Sequence, residues 1–196
     1  MRLTCFNGLS TVGGVQLLLS SGSGSLLFDL GVVRNPGIAP TRVLFNDFVH
    51  PRPSDPLRDL LRAGMAPPVA GLYRARDDGD PAWLFRARHG VRDVSTPSDD
   101  GTLAVFFSHA HDDHMGLLPF VAPDVDIHVA AETGAFHDAL VAAGEVAAPG
   151  SPLRPVADGD TFAVGDLVID VLHPPAGRPY RWSRSEPNDT SIAVRL

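Results

Sequence analysis

Lysine is absent from the chain; all 16 basic residues are arginine. This removes a phosphate-loop lysine and a Schiff-base lysine from the mechanisms open to it. Cysteine is almost absent as well. Cys5 stands alone, which excludes a disulfide framework and a cysteine-based zinc site and leaves a buried strand thiol as its expected role. Long apolar runs are missing. No stretch approaches the ~18 apolar residues of a membrane span. Met1-Arg2-Leu3-Thr4 leads into polar, glycine-bearing sequence instead of the apolar core of a secretory leader. The expectation is a soluble, cytoplasmic protein with no membrane partner. Positive charge is in deficit, with a formal net charge of −7. A broad nucleic-acid surface needs clustered cations, so the charge does not support one; a nuclease that meets phosphate only locally stays open.

The sequence does have enough apolar material for a core. Its 196 residues are 44% hydrophobic, which suits one globular domain over 1–196. Residues 15–21 and 25–31 read as two strands joined by the turn chemistry of Gly22-Ser23-Gly24. Gly13-Gly14 ahead of them permits close backbone approach. Residues 33–100 are irregular and proline-rich. Within them, 54–64 read as a short helix with Leu57, Leu60 and Leu61 on one face and Gly64 as its stop, and 82–88 read as a strand. A connection this long inside a compact domain is more often functional than idle. His50, His89 and Arg92 in it read as surface residues that could also line a cleft.

The apolar run 103–107 reads as a buried strand. Directly after it comes Ser108-His109-Ala110-His111-Asp112-Asp113-His114-Met115-Gly116, which holds three of the eight histidines. In extended backbone, side chains two apart project the same way, so His109 and His111 can face one point. Neutral imidazoles suit zinc and its neighbours. Asp113 and His114 follow a bend and offer a carboxylate and an imidazole from a second direction, with Gly116 allowing the backbone to turn closely. Two ligand pairs on one loop could hold two adjacent cations, and such a site can activate water and clamp an oxyanion.

Further on, 115–120 read as a short helix or turn limited by Pro119, 126–130 as a buried strand, and 132–143 as a helix ended by Gly144. His128 and His137 read as packing or surface residues. Residues 161–164 and 167–172 flank Gly165-Asp166 as a hairpin, and 191–196 read as a final strand.

The run from Ser108 to Gly116 resembles the signature of the metallo-β-lactamase-fold hydrolases. The resemblance implies an α/β fold, the αββα sandwich, with metals at one edge of two facing sheets. It implies His109 and His111 on the first metal, Asp113 and His114 on the second, and Asp113 also orienting the attacking water. His173 follows the second hairpin, 59 residues after His114, where the family places its third ligand for the first metal. The glycine pair, the hairpin and Phe28-Asp29-Leu30-Gly31 resemble the start of the same family, where the matching aspartate supports the metal loop from behind. From the residues alone, Asp29 could equally cap a turn. In this family an insertion such as 33–100 borders the active site. That region loosely resembles the ribonuclease-J-like branch, and the ending after Leu172 resembles the competence-related branch.

The family pattern continues further than this sequence. Its second half supplies a bridging aspartate and another histidine, for which no matching segment is found; Asp189 belongs to a different local pattern. The resemblance covers about the first half to two-thirds of the fold, and a fragment is the favoured explanation. A sheet short of strands would expose apolar surface and an open edge, which a partner chain or a second copy could cover. The implied activity is hydrolysis of an ester-like or phosphodiester bond by zinc-activated water, on a small-molecule ester or a phosphodiester substrate. Two zinc ions would fill a complete site, with iron or manganese as alternative metals. A non-catalytic metal-binding or interaction protein is the rival reading. A di-iron redox protein of the same fold is disfavoured because a carboxylate is typical at the position of His111.

Overall fold

A computed structural model describes residues 1–9, 13–32, 54, 56–74, 101–172 and 193–195. The expectations for His50, 82–88, His89, Arg92, His173 and Asp189 concern residues outside these ranges. Among the described residues, nine strands form two sheets. The larger contains β1 (Arg2–Asn7), β2 (Gln16–Ser20), β3 (Gly24–Phe28), β4 (Thr102–Phe107), β5 (Asp126–Ala130) and β6 (Leu153–Val156), side by side in that order. Its first three strands run antiparallel to one another, and β3 through β6 run parallel. The smaller is an antiparallel meander of β7 (Thr161–Val164), β8 (Leu167–Leu172) and β9 (Ala193–Arg195).

Strand alternation divides the core between the two faces of the large sheet. Leu18, Leu27, Val105, Phe107, Ile127 and Val129 point to one face. There they meet Leu57, Leu60 and Leu61 of α1 (Pro56–Ala63) together with Leu72, Leu117 and Val121. This is the apolar stripe that the leucine spacing predicts, and the helix stops where Gly64 takes φ +73°. Leu19, Leu26, Ala104, Phe106 and Val156 point to the other face and pack on Val164, Leu167, Ile169 and Val171 of the small sheet. Helical layer, sheet and second sheet thus stack in the order expected of an αββα sandwich. Val168 and Leu172 of β8 point outward and are 60% and 42% exposed. A 12-residue helix, α3 (Ala131–Ala142), follows β5 and packs against β5 and β6. Among the described residues, no helix is long and apolar enough to cross a membrane.

The structure amends three expectations. Cys5 lies in a strand but is only half-buried, because β1 is the edge of its sheet. The short helix begins inside the histidine run: α2 spans Asp112–Met115, with Asp112 and Asp113 in its first turn, where carboxylates suit the helix dipole. Pro119 then sits in a separate 3₁₀ turn, Leu118–Phe120. Gly116 is needed for space and not for an unusual turn. Its φ is an ordinary −60°, but a Cβ there would lie 2.9 Å from Val32 Cγ2.

The two sheets are fastened at the end where β3 begins. Asp166, in the β7–β8 turn, accepts hydrogen bonds from Ser21 Oγ, from the Ser23 N–H at 3.1 Å and from Ser23 Oγ at 3.2 Å. Gly24 and Gly165 let the two hairpin turns touch backbone to backbone. A Cβ on Gly24 would fall on the Val164 carbonyl oxygen, 2.7 Å from its carbon.

His128 packs between the sheets, as its ring stacks on Phe162 with centroids 3.9 Å apart. Its Nδ1 is buried without a hydrogen-bond partner among the described residues. Burial pushes its pKa below the ordinary 6.5 and Arg154 adds to this, while Asp126 opposes. The unfolded chain therefore takes up a proton near pH 6.5 that the native state resists. The associated stability is complete above that pH and is lost as pH falls from 6.5 toward the native value. His128→Phe keeps the stack and removes the proton. In urea titrations of the metal-free protein from pH 7.5 to 5, its midpoint should fall less with acid than that of the parent. An unchanged slope would refute the assignment.

Candidate metal centre

Parallel pairing of β3 with β4 brings two distant segments to one sheet end. The pairing runs from Gly24↔Thr102 to Phe28↔Phe106, so Asp29 leaves β3 beside the point where Ser108 leaves β4. Asp29 N–H still bonds the Phe106 carbonyl at 2.9 Å. The residue then turns into left-handed backbone at φ 58°, a conformation aspartate tolerates better than most residues. Its carboxylate is 1% exposed and accepts three hydrogen bonds: from Ser108 N–H at 2.8 Å, from Ser108 Oγ at 2.8 Å and from His114 Nδ1 at 2.7 Å.

These contacts are all satisfied when Nδ1 of His109 and of His114 carries the proton. Ser108 has one hydroxyl proton, and Asp29 takes it. Ser108 Oγ can then accept from His109 Nδ1, 3.0 Å away. His114 Nδ1 donates to Asp29. Nε2 of His114 then faces Asp113 and Nε2 of His109 faces His111, an arrangement common behind metal-ligating imidazoles. Burial lowers the His109 pKa to about 4, helped by the charges of His114 and His111 and opposed by Asp113. The ring is therefore neutral at pH 7, as a ligand must be. Burial alone would also lower His114, but its bond to the Asp29 carboxylate reverses this and raises it. Asp29 itself is raised, because burial outweighs the bonds from His114 and Ser108.

His109 Nε2 and His111 Nδ1 lie 3.1 Å apart. Two nitrogens on one tetrahedral zinc are separated by about 3.3 Å, given bonds near 2.0–2.1 Å. His114 Nε2 and Asp113 Oδ2 lie 3.8 Å apart. The His109 and His114 rings approach to 4.0 Å between centroids, so the two pairs are neighbours. The donor types and the spacing of the first pair fit a divalent transition metal. Among the described residues, however, no three histidine, cysteine, aspartate or glutamate side chains converge on one point. The structure thus brings Asp29, His109, His111, Asp113 and His114 together. Ser108, which joins Asp29 to both ligand pairs, had no role in the sequence reading. Its hydroxyl carries no periodic signal, and only its place at the head of the histidine run marked it.

No protein-family model and no curated protein matches the chain. Solved structures do. A protein of unknown function from Enterococcus faecalis V583 is 21% identical, with a TM-score of 0.61 over 86% of this chain and 36% of its own. MIM-2 metallo-beta-lactamase is 15% identical, with a TM-score of 0.44 over 93% of this chain and 50% of its own. SMB-1 metallo-beta-lactamase, solved with mercaptoacetic acid, is 16% identical, with a TM-score of 0.45 over 99% of this chain and 56% of its own. The chain spans about one-third to just over half the length of these three structures. The likeness to the Enterococcus protein is one of fold.

Proposed function

We propose that this chain carries the metal-binding half of a hydrolase that cuts an ester-like or phosphodiester bond. The observation that carries the reading is the pairing of His109 Nε2 with His111 Nδ1 at 3.1 Å, beside an imidazole whose other nitrogen is tied to a buried carboxylate. His109 and His111 hold the first metal, with His173 as a third ligand, and Asp113 and His114 hold the second. Zinc suits these donors, and a bound divalent metal supplies Lewis acidity and lowers the pKa of water from 15.7 toward about 7. Asp113 would also orient the attacking water. Asp29 and Ser108 hold the His109 and His114 rings so that Nε2 faces the site.

The substrate is a small ester or a phosphodiester. The net charge of −7 favours a small ester over a nucleic acid. The experiment measures zinc per chain, then hydrolysis of p-nitrophenyl acetate and bis-p-nitrophenyl phosphate at low and high salt. His111→Ala should lose zinc and reduce hydrolysis to the uncatalysed background. Retained zinc together with retained hydrolysis would overturn the reading. A steep loss of rate with salt on a nucleic-acid substrate would move the assignment to the phosphodiester class.

The rival reading is a metal-binding protein without turnover. One observation favours it: the described residues supply ligands in pairs, whereas a catalytic zinc commonly has three protein ligands. It is distinguished by zinc uptake that His111→Ala abolishes, with no hydrolysis in the parent protein.

A further inference from the structure

Asp113 packs against two glycines, one at its side chain and one at its backbone. Gly13 lies against its side chain: a Cβ at position 13 would sit 2.7 Å from Asp113 Cβ and 2.8 Å from Cγ. Gly31 lies against its backbone from another segment. A Cβ there would fall on the Asp113 carbonyl and lie 2.9 Å from the His114 nitrogen. Real Cβ atoms are not found at such distances, so any side chain at either position must move Asp113 or its own segment.

The same two segments hold the single turn of α2 by its backbone carbonyls. Gly14 N–H bonds the Asp113 carbonyl at 2.9 Å, Leu30 N–H bonds that of His114 at 2.8 Å, and Val32 N–H bonds that of Asp112 at 3.1 Å. A four-residue helix has too few internal bonds to hold its own orientation. The backbone direction of α2, and with it that of Asp113, is therefore set from outside, by residues 13–14 and 30–32. His109 precedes α2 and is anchored through Ser108 to Asp29, and His111 contacts His109. The His114 ring is also tied to Asp29, so Asp113 is the ligand that depends on the two glycine segments alone.

We infer that Gly13 and Gly31 are positioning residues that set the backbone of α2, and with it the Asp113 ligand, independently of the His109–His111 pair. The inference rests on the metal-centre reading above. It implies that filling either glycine separates the two halves of the site, weakening one while sparing the other.

Zinc affinity is measured by chelator competition for the parent, Gly13→Ala, Gly31→Ala, Asp113→Asn and the control Gly71→Ala. Gly71 has nearly the same backbone strain as Gly13, at φ +76° against +74°, but nothing lies within 4 Å of its Cβ position. The zinc that Asp113→Asn removes should bind about 10- to 100-fold more weakly in the Gly13 and Gly31 variants. The zinc that depends on His111, and all zinc in Gly71→Ala, should be unchanged. Equal weakening of both, or of neither, would overturn the inference while leaving the metal-centre reading in place. Absence of an Asp113-dependent zinc in the parent would overturn both. Amide exchange on the parent protein supplies a test that needs no variant to fold. Zinc should slow exchange at Gly14, Leu30 and Val32 at least tenfold and leave Gly71 unaffected; no slowing at the first three would also overturn it.

Discussion

Replacing Asp29 with alanine should destabilise the metal-free protein by several kcal/mol, on the order of 1–3 kcal/mol for each buried donor left without a partner. Three donors point at this one carboxylate, and it is 1% exposed. Without it the Ser108 N–H has no acceptor inside the sheet end and His114 Nδ1 loses its bond. About 1 kcal/mol or more of the cost comes from the backbone, since alanine is strained at the φ of 58° found here. Asp29→Asn separates the two contributions. Asparagine tolerates the left-handed backbone and can accept one hydrogen bond, but it has no charge. It should therefore lose less stability than alanine in urea unfolding. Both variants should bind zinc about 10- to 100-fold more weakly, because the His109 and His114 rings are no longer held. Parent-like stability in Asp29→Ala would remove the buried network from this account.

Gly24→Ala should be comparably damaging for a different reason. No polar group is lost; a methyl is placed on the Val164 carbonyl, where the β2–β3 and β7–β8 turns meet. Backbone faces backbone here, so neither side has a side chain that could rotate away. Overpacking usually costs about 1–3 kcal/mol, and a site with no means of relaxing belongs at or above the top of that range. The two sheets should part at this end, exposing Phe106 and Ile169 and causing dye binding before the main unfolding transition. Asp166→Ala removes the exposed hydrogen bonds at the same junction without the steric clash, and its effect should be much smaller. Equal effects of the two would mean that the polar contacts, not the close approach, fasten the sheets.

Parts of the fold were legible because one signal dominated locally. β5 and the β7–β8 hairpin fall on 126–130, 161–164 and 167–172 as their apolar alternation predicts. β6 has no counterpart in the sequence reading, since Leu153-Arg154-Pro155-Val156 carries a proline and no clear apolar alternation. The proline is tolerated there because β6 ends the sheet and an edge strand can spare an N–H. β1 is likewise an edge, half-exposed, and its pattern is weak. In the site, His109, His111, Asp113 and His114 were legible because they are neighbours in sequence. The contact of Asp29 with Ser108 joins residues 79 apart and exists only through the parallel register of β3 and β4. The resemblance pointed to Asp29; no local pattern pointed to its partner.

That parallel register also governs how the protein folds. The ligand loop cannot receive its buried carboxylate until the chain has closed a span of 79 residues. Closures of this length come late, after hairpins such as β2–β3 and β7–β8, so a folding intermediate with both hairpins formed would still lack an ordered site. The entropy of closure rises only with the logarithm of length, and doubling the span adds about 0.6 kcal/mol. Outside the segment 57–73, which packs in the core, the connection between β3 and β4 can therefore lengthen at little thermodynamic expense, while the metal-binding end of the sheet stays unchanged.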